Sequence, residues 1–169
     1  MQPQNPASPP ASEPLSSAEE RLWRSLQRLL VALPRALHED LLRSTGLSLS
    51  QYIVLMHLSE VADNRMRMTD LAAATALSAS RITRLVETLR VQGLVVKRRL
   101  STDARGSVAV LTEVGRQRLL GAYPAHLASA RRRVLDQLDP ALVHGLAEEL
   151  QAVAEPLVSR CRTDLALPL

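Results

Sequence analysis

The 169-residue sequence lacks phenylalanine and has only one Trp and two Tyr, so aromatic side chains make up 2% of it. An apolar core must therefore be built from Leu, Val, Ile and Ala, and Leu and Ala favour helix. Glycine is scarce, with six residues, and none belongs to a nucleophile elbow or a phosphate-binding loop. These absences favour a mostly helical protein and argue against an enzyme.

Disulfides and long apolar runs are absent as well. A single thiol, Cys161, cannot form an internal disulfide, so a reducing cytoplasm is the expected compartment. No apolar run approaches the roughly 18 residues of a membrane span, and the segment before Arg21 lacks the basic and apolar regions of a secretory signal. The four histidines show no metal-ligand spacing. The sequence thus predicts a cytoplasmic protein without a membrane partner, a metal or another cofactor.

The charge of the chain is positive and unevenly distributed. Basic residues number 21 and acidic residues 17, which gives a net charge of +4, and Lys97 is the only lysine. Residues 78–106 contain seven cations and two anions, a net +5, so the rest of the chain sums to −1. An excess that only maintained solubility would not concentrate in one segment. The pattern indicates an anionic partner such as nucleic acid.

Leucines at helical spacing mark both ends of the chain, between two predicted tails. Residues 1–16 contain five prolines and too little apolar surface to offset the entropy of ordering, so they are predicted to be flexible. Residues 161–169 form the second tail. Residues 17–46 and 112–160 are predicted to be helical. Their leucine stripes include Leu22 and Leu26 near the N-terminus and Leu142, Leu146, Leu150, Val153 and Leu157 in the last helix.

The central segment, residues 47–111, is predicted to contain a short helix, a tight turn, a second helix and a β-hairpin. Thr69 is expected to cap the short helix and Ser78 the second one. Ile82, Val86 and Leu89 mark the apolar face of the second helix. Two β-prone runs, 94–100 and 108–111, flank a polar turn. The order predicts a mostly α fold with a small β-hairpin wing, a winged helix-turn-helix.

Several motifs resemble the multiple-antibiotic-resistance-regulator (MarR) family of transcriptional regulators. The stretch from Leu71 to Val86 is similar to the helix-turn-helix of that family. Asp103-Ala104-Arg105-Gly106 matches its Asp-x-Arg wing tip, and Leu111-Thr112-Glu113 resembles the start of its next helix. Each motif is weak alone, but their order and spacing across about residues 17–160 form a specific signal.

The resemblance implies a homodimer that binds a double-stranded DNA operator as a transcriptional repressor. Arg105 would enter the minor groove, and Asp103 would position the wing. The full set of candidate DNA-binding residues is Ser78, Ser80, Arg81, Thr83, Arg84, Arg98, Asp103 and Arg105. The terminal helices would join two copies through the leucine stripes, although such stripes could instead close the core of a monomer.

Many members of the family bind small aromatic or phenolic ligands near the junction of the DNA-binding lobe and the dimer helices. The candidate effector residues there are His38, Tyr52, Met56 and His57, each of which could equally serve packing. Cys161 could act as a redox sensor or remain inert. The alternative function for the whole chain is a winged-helix protein-interaction module that does not bind DNA.

Overall fold

The computed structural model describes the backbone of residues 13–100 and 103–164, and it describes side chains except those of residues 100, 103–105 and 159–164. Residues 1–12 and 165–169, which make up most of the two predicted tails, lie outside the described residues. The helices are α1 (Ser17–Thr45), α2 (Leu49–Glu60), α3 (Met68–Thr75), α4 (Ala79–Val91), α5 (Glu113–Arg133) and α6 (Pro140–Asp164). The strands are β1 (Arg65–Arg67), β2 (Val95–Leu100) and β3 (Asp103–Leu111). The predicted mostly α fold with a small β wing is confirmed.

Side-chain caps define where several helices begin. The Ser48 side chain accepts a hydrogen bond from the Gln51 amide at 3.2 Å, and the Gln51 side chain accepts one from the Ser48 amide at 2.8 Å. This reciprocal pair is the predicted capping box of α2. The Thr112 hydroxyl accepts from the Gly115 amide at 2.9 Å and begins α5. These caps satisfy amides that have no partner within the helix.

The core lies between α2, α3, α4, the sheet and α5. Val54, Leu55 and Leu58 of α2 are fully buried, and so is Leu71 of α3. The predicted apolar face of α4 is confirmed, because Ile82, Val86 and Leu89 are all 0% exposed. Its burial fixes α4 in one rotation about its own axis. The opposite face of α4 is consequently turned toward solvent.

The wing is a three-stranded antiparallel sheet in the order β1-β3-β2, with one strand more than the predicted hairpin. Arg67 of β1 pairs with Val108 of β3 and remains extended. As a result α3 begins at Met68, and the prediction that Thr69 caps this helix is wrong. Thr69 is already inside the helix, and its hydroxyl donates to the Asp70 carboxylate at 3.2 Å.

A polar cluster joins the C-terminal part of α1 to the end of α5. The Asp40 carboxylate accepts hydrogen bonds from Ser129 at 2.6 Å, Arg132 at 2.8 Å and Arg133 at 3.1 Å. The Arg133 guanidinium and the Ser129 hydroxyl hold the pKa of Asp40 far below its usual range. Asp40 therefore stays ionised and links the two helices at any pH near neutrality.

The last helix leaves its apolar stripe in solvent. Leu142, Leu146, Leu150, Val153 and Leu157 of α6 are between 39% and 63% exposed. In α1, Leu22 is 61% exposed and Leu26 is half-buried. The apolar side chains at these positions do not complete the core described above. None of the helices in the described ranges is both long and apolar enough to cross a membrane.

Candidate nucleic-acid interface

The turn between α3 and α4 has a defined backbone geometry. Ala76 is in the left-handed region, with φ of 52°, and the Leu77 amide donates to the Ala72 carbonyl at 3.1 Å. A left-handed conformation is unfavourable for a residue with a Cβ, so the surrounding packing must enforce it. The Ser78 hydroxyl then accepts from the Arg81 amide at 3.4 Å and starts α4. This is the predicted helix-turn-helix.

The N-terminal half of α4 exposes side chains able to contact DNA. Ser80, Arg81, Thr83 and Arg84 are all exposed, which follows from burial of the apolar face on the other side. The Thr83 hydroxyl donates to the Ala79 carbonyl at 2.8 Å, so its oxygen remains free to accept. Within the described part of the chain, no acidic side chain forms an ion pair with Arg81 or Arg84. These guanidinium groups are available for bidentate bonds to guanine or phosphate.

Strand β2 adds a second exposed basic region beside α4. Lys97, Arg98 and Arg99 are consecutive and exposed. They pair with Ala109, Val108 and Ser107 of β3 in a regular antiparallel register. The side chains of Asp103 and Arg105 lie outside the described residues, and only their backbone in β3 is described. Their roles at the wing tip stay predictions.

A groove with a volume of about 470 Å³ separates α4 from the wing. Its lining residues are Glu87, Arg90, Lys97, Arg98, Arg99, Gly106 and Ser107. Glu87 and Arg90 form a two-pronged ion pair, with Nε to Oε2 at 2.9 Å and Nη2 to Oε1 at 2.6 Å. The hydrogen bonds from Arg90 lower the pKa of Glu87, and those to Glu87 raise the pKa of Arg90. Both side chains are charged at neutral pH.

The four candidate effector residues do not meet in one cavity. His38 lines an open cavity of about 280 Å³ together with Arg35, Ser50 and Arg81. His57 lies at 3.4 Å from the Glu60 carboxylate and lines a different cavity, of about 440 Å³, between α2, β1, α3 and α6.

The other two candidates belong to the core and its edge. Tyr52 is 2% exposed, and its ring lies 4.4 Å from that of His126 in α5. Burial raises the pKa of Tyr52. Met56 is partly buried against the core. A role in packing accounts for both positions.

Reasoning from the sequence omitted three cations of the groove from the candidate site. The basic segment 78–106 includes Arg90, Lys97 and Arg99, but among the cations that line the groove only Arg98 is a predicted DNA contact. Side chains alternate along a strand, so Lys97 and Arg99 share one face of β2 and Arg98 lies on the other, although Arg98 also contributes to the lining of the groove. Which face of β2 meets α4 depends on tertiary packing, which no pattern within the strand specifies.

Comparisons with known proteins agree with this arrangement. A family model described as "MarR family" matches residues 45–106, which include the helix-turn-helix and most of the wing. The HTH-type transcriptional repressor YetL of Bacillus subtilis (strain 168) is 32% identical over 83 residues. That match covers 49% of this chain and 50% of YetL, so the chain spans about half the length of this curated relative.

Two solved structures are similar over most of the chain. AbsC of Streptomyces coelicolor, a MarR family transcriptional regulator, is 36% identical, covers 86% of this chain and 98% of its own, and has a TM-score of 0.75. Sco3205 of the same organism, solved in complex with DNA, is 32% identical, covers 86% and 92%, and has a TM-score of 0.77. Proteins of this family are transcriptional regulators and not enzymes. At this identity over nearly the whole of AbsC, the chain belongs to the MarR family of transcriptional regulators.

Proposed function

We propose that the protein binds duplex DNA in a sequence-specific manner and represses transcription in the cytoplasm. The observation that carries this proposal is the exposed polar face of α4, on which Arg81 and Arg84 project beside the basic strand β2. A helix held by a buried apolar face and ending a helix-turn-helix can enter the major groove. The DNA complex of Sco3205 and the name of the repressor YetL support the same function.

The residues of the site divide into base and backbone contacts. Arg81 and Arg84 are placed to donate two hydrogen bonds to the edge of a guanine. Ser78, Ser80 and Thr83 are short hydroxyl side chains at the start of α4, suited to phosphate or base contacts. Arg98 contributes charge from β2. By family resemblance, Asp103 orients the wing and Arg105 enters the minor groove. Base preference then resides mainly in α4.

The protein acts as a homodimer in this proposal. The apolar stripe of α6 is more than a third exposed at every position, and Leu22 of α1 is similarly exposed. A second copy would bury the same surface by two-fold symmetry. Two helix-turn-helix units related in this way read two half-sites about one helical turn apart, which corresponds to a pseudo-palindromic operator.

A small aromatic or phenolic anion releases the protein from DNA in this proposal. Of the four candidate effector residues, His38 lines the same cavity as Arg81, and Arg35 lies there too. The lining also includes the Glu39 carboxylate, so the two arginines exceed it by one positive charge. A phenolate or carboxylate bound beside Arg81 would neutralise it and compete with its contact to DNA. Tyr52, Met56 and His57 would act on this site only through the packing of α2.

The test is selection of duplexes from a random pool, followed by titration of the selected sequence. Arg84→Ala should weaken binding by about 1–3 kcal/mol and change the base preference, because a base contact is lost. Arg131→Ala on α5 removes the same charge away from α4 and serves as the control. No enrichment of any sequence by the native protein would contradict the proposal and favour the protein-interaction module. An Arg84→Ala protein with unchanged affinity and preference would contradict the placement of α4.

A further inference from the structure

The groove between α4 and the wing lies where two features of the proposed DNA complex meet. In that complex α4 occupies the major groove and the tip of the wing approaches the adjacent minor groove. The sugar-phosphate strand that separates these two grooves must then pass between the recognition helix and the wing. The groove lined by Arg90, Lys97 and Arg99 lies between α4 and β2, where such a strand would pass.

The strand register explains why Lys97 and Arg99 belong to this groove. Side chains alternate across a strand, so Val95, Lys97 and Arg99 share one face of β2. Val95 is 1% exposed, and Ala109, the partner of Lys97 in β3, is 0% exposed. That face therefore continues the side of the sheet that packs on the core and α4. Beyond the core, Lys97 and Arg99 extend along it into the groove.

The groove also contains one negative charge. Glu87 of α4 lines it, and this carboxylate accepts hydrogen bonds from Nε and Nη2 of Arg90. Lys97, Arg98 and Arg99 are the other cations of the lining, so its formal charge is +3 with Glu87 and Arg90 included. An anion that approaches the groove is attracted by this excess but repelled by Glu87.

We propose that this groove binds a backbone phosphate of the DNA strand between the major and minor grooves, through Lys97 and Arg99, and that Glu87 limits the strength of this contact. The inference rests on the proposed DNA-binding function and assigns residues beyond the candidate site. Phosphate contacts carry no base preference, so they raise affinity for all duplexes alike. The Glu87 carboxylate keeps Arg90 paired and thereby restrains binding to DNA of any sequence.

The experiment measures binding of full-length protein to the selected duplex and to a random duplex across a series of salt concentrations. Lys97→Gln and Arg99→Gln should each weaken binding several-fold on both duplexes. Each should also make the slope of log affinity against log salt shallower by up to about one unit. Glu87→Gln should strengthen binding on both duplexes, because it removes a repulsive charge and releases Arg90. Arg131→Ala is the control, because it removes one positive charge as Lys97→Gln and Arg99→Gln do. Melting temperatures verify that every variant is folded.

The outcomes separate the groove from the function on which it rests. Variants whose affinity and salt slope match those of Arg131→Ala would overturn the phosphate contact. A changed base preference in Lys97→Gln or Arg99→Gln would also overturn it, because the groove would then read bases. If native protein binds these duplexes while the groove variants behave like the control, only the groove is refuted. Native protein that binds neither duplex would refute the proposed function and the groove together.

Discussion

Helices α4 and α6 each carry an apolar stripe. They differ in whether other parts of the chain bury that stripe. Both carry apolar residues at spacings of three and four, which is the pattern of an amphipathic helix. In α4, Ile82, Val86 and Leu89 are fully buried within the chain. In α6, Leu142 and Leu150 are 57% and 54% exposed. Periodicity alone therefore identifies an apolar face, but it does not identify the surface that buries it.

The difference assigns the two helices to different partners. Because the apolar face of α4 is already buried, its remaining surface is polar and cationic and suits an anionic partner. The apolar face of α6 remains in solvent, and a contiguous apolar stripe of this kind marks a protein interface. The comparison thus separates the surface proposed for DNA from the surface proposed for a second copy.

The largest expected effect is loss of the dimer on placing charge in the stripe of α6. The double variant Leu142→Asp with Leu150→Asp would bury unpaired carboxylates in the proposed interface, at a cost of several kcal/mol. The dimer dissociation constant should then rise by more than about a thousandfold. Light scattering and analytical ultracentrifugation measure this. Val91→Asp, at an apolar position of α4 that is 74% exposed, is the matched control. A dimer that persists in the double variant would place the interface elsewhere.

A smaller effect is expected from truncating a leucine in each helix. Leu89→Ala should destabilise the fold by about 2–5 kcal/mol, because it leaves a cavity in a core that is closed within the chain. The loss should be the same at low and high protein concentration. Leu150→Ala should reduce stability only at concentrations at which the dimer forms. Urea unfolding at two concentrations distinguishes these cases. If the loss of stability depended equally on protein concentration in the two variants, α4 and α6 would not differ in what buries their leucines.

The sequence was sufficient to predict those features that depend on neighbouring residues. The capping box of Ser48 and Gln51, the Ser78 cap and the buried face of α4 are set within a few residues, and all are confirmed. Strand β1 has only three residues and exists because it pairs with β3. No local pattern could indicate it, and the prediction of a cap at Thr69 was wrong for the same reason.

The candidate site shows the same division between features set by neighbouring residues and features set by tertiary contacts. Exposure of Ser80, Arg81 and Arg84 followed from the helical period once the apolar face was identified. The groove beside them combines α4 with β2, and its membership depends on strand register and on the ion pair of Glu87 and Arg90. The four predicted effector residues are polar or adaptable side chains near the junction that the family resemblance indicates. The structure separates His38 from His57, because α2 presents His57 to another cavity.

The smallest expected effect is on the pH dependence of stability. It concerns two histidines, one packed within the chain and one exposed on α6. His126 of α5 lies against the ring of Tyr52, and its Nδ1 is buried without a hydrogen-bond partner among the described residues. His144 of α6 has a side chain that is 90% exposed. Burial lowers the pKa of His126 below its ordinary value of 6.5. Protonation of His126 is therefore less favourable in the folded protein than in the unfolded chain.

The pH dependence of stability follows from this difference. Above about pH 6.5 the imidazole is neutral in both states, and the contribution of His126 is fully present. As the pH falls below that value, the unfolded chain binds the proton first, so the free energy of unfolding decreases until the folded protein also binds it. His126→Phe should flatten this part of the curve, because it keeps an aromatic ring beside Tyr52 and removes the titration. His144→Gln, which changes an exposed histidine of α6, is the matched control. Urea unfolding between about pH 5 and pH 8 measures both, and a slope that disappears only in His144→Gln would contradict the assignment to the buried imidazole.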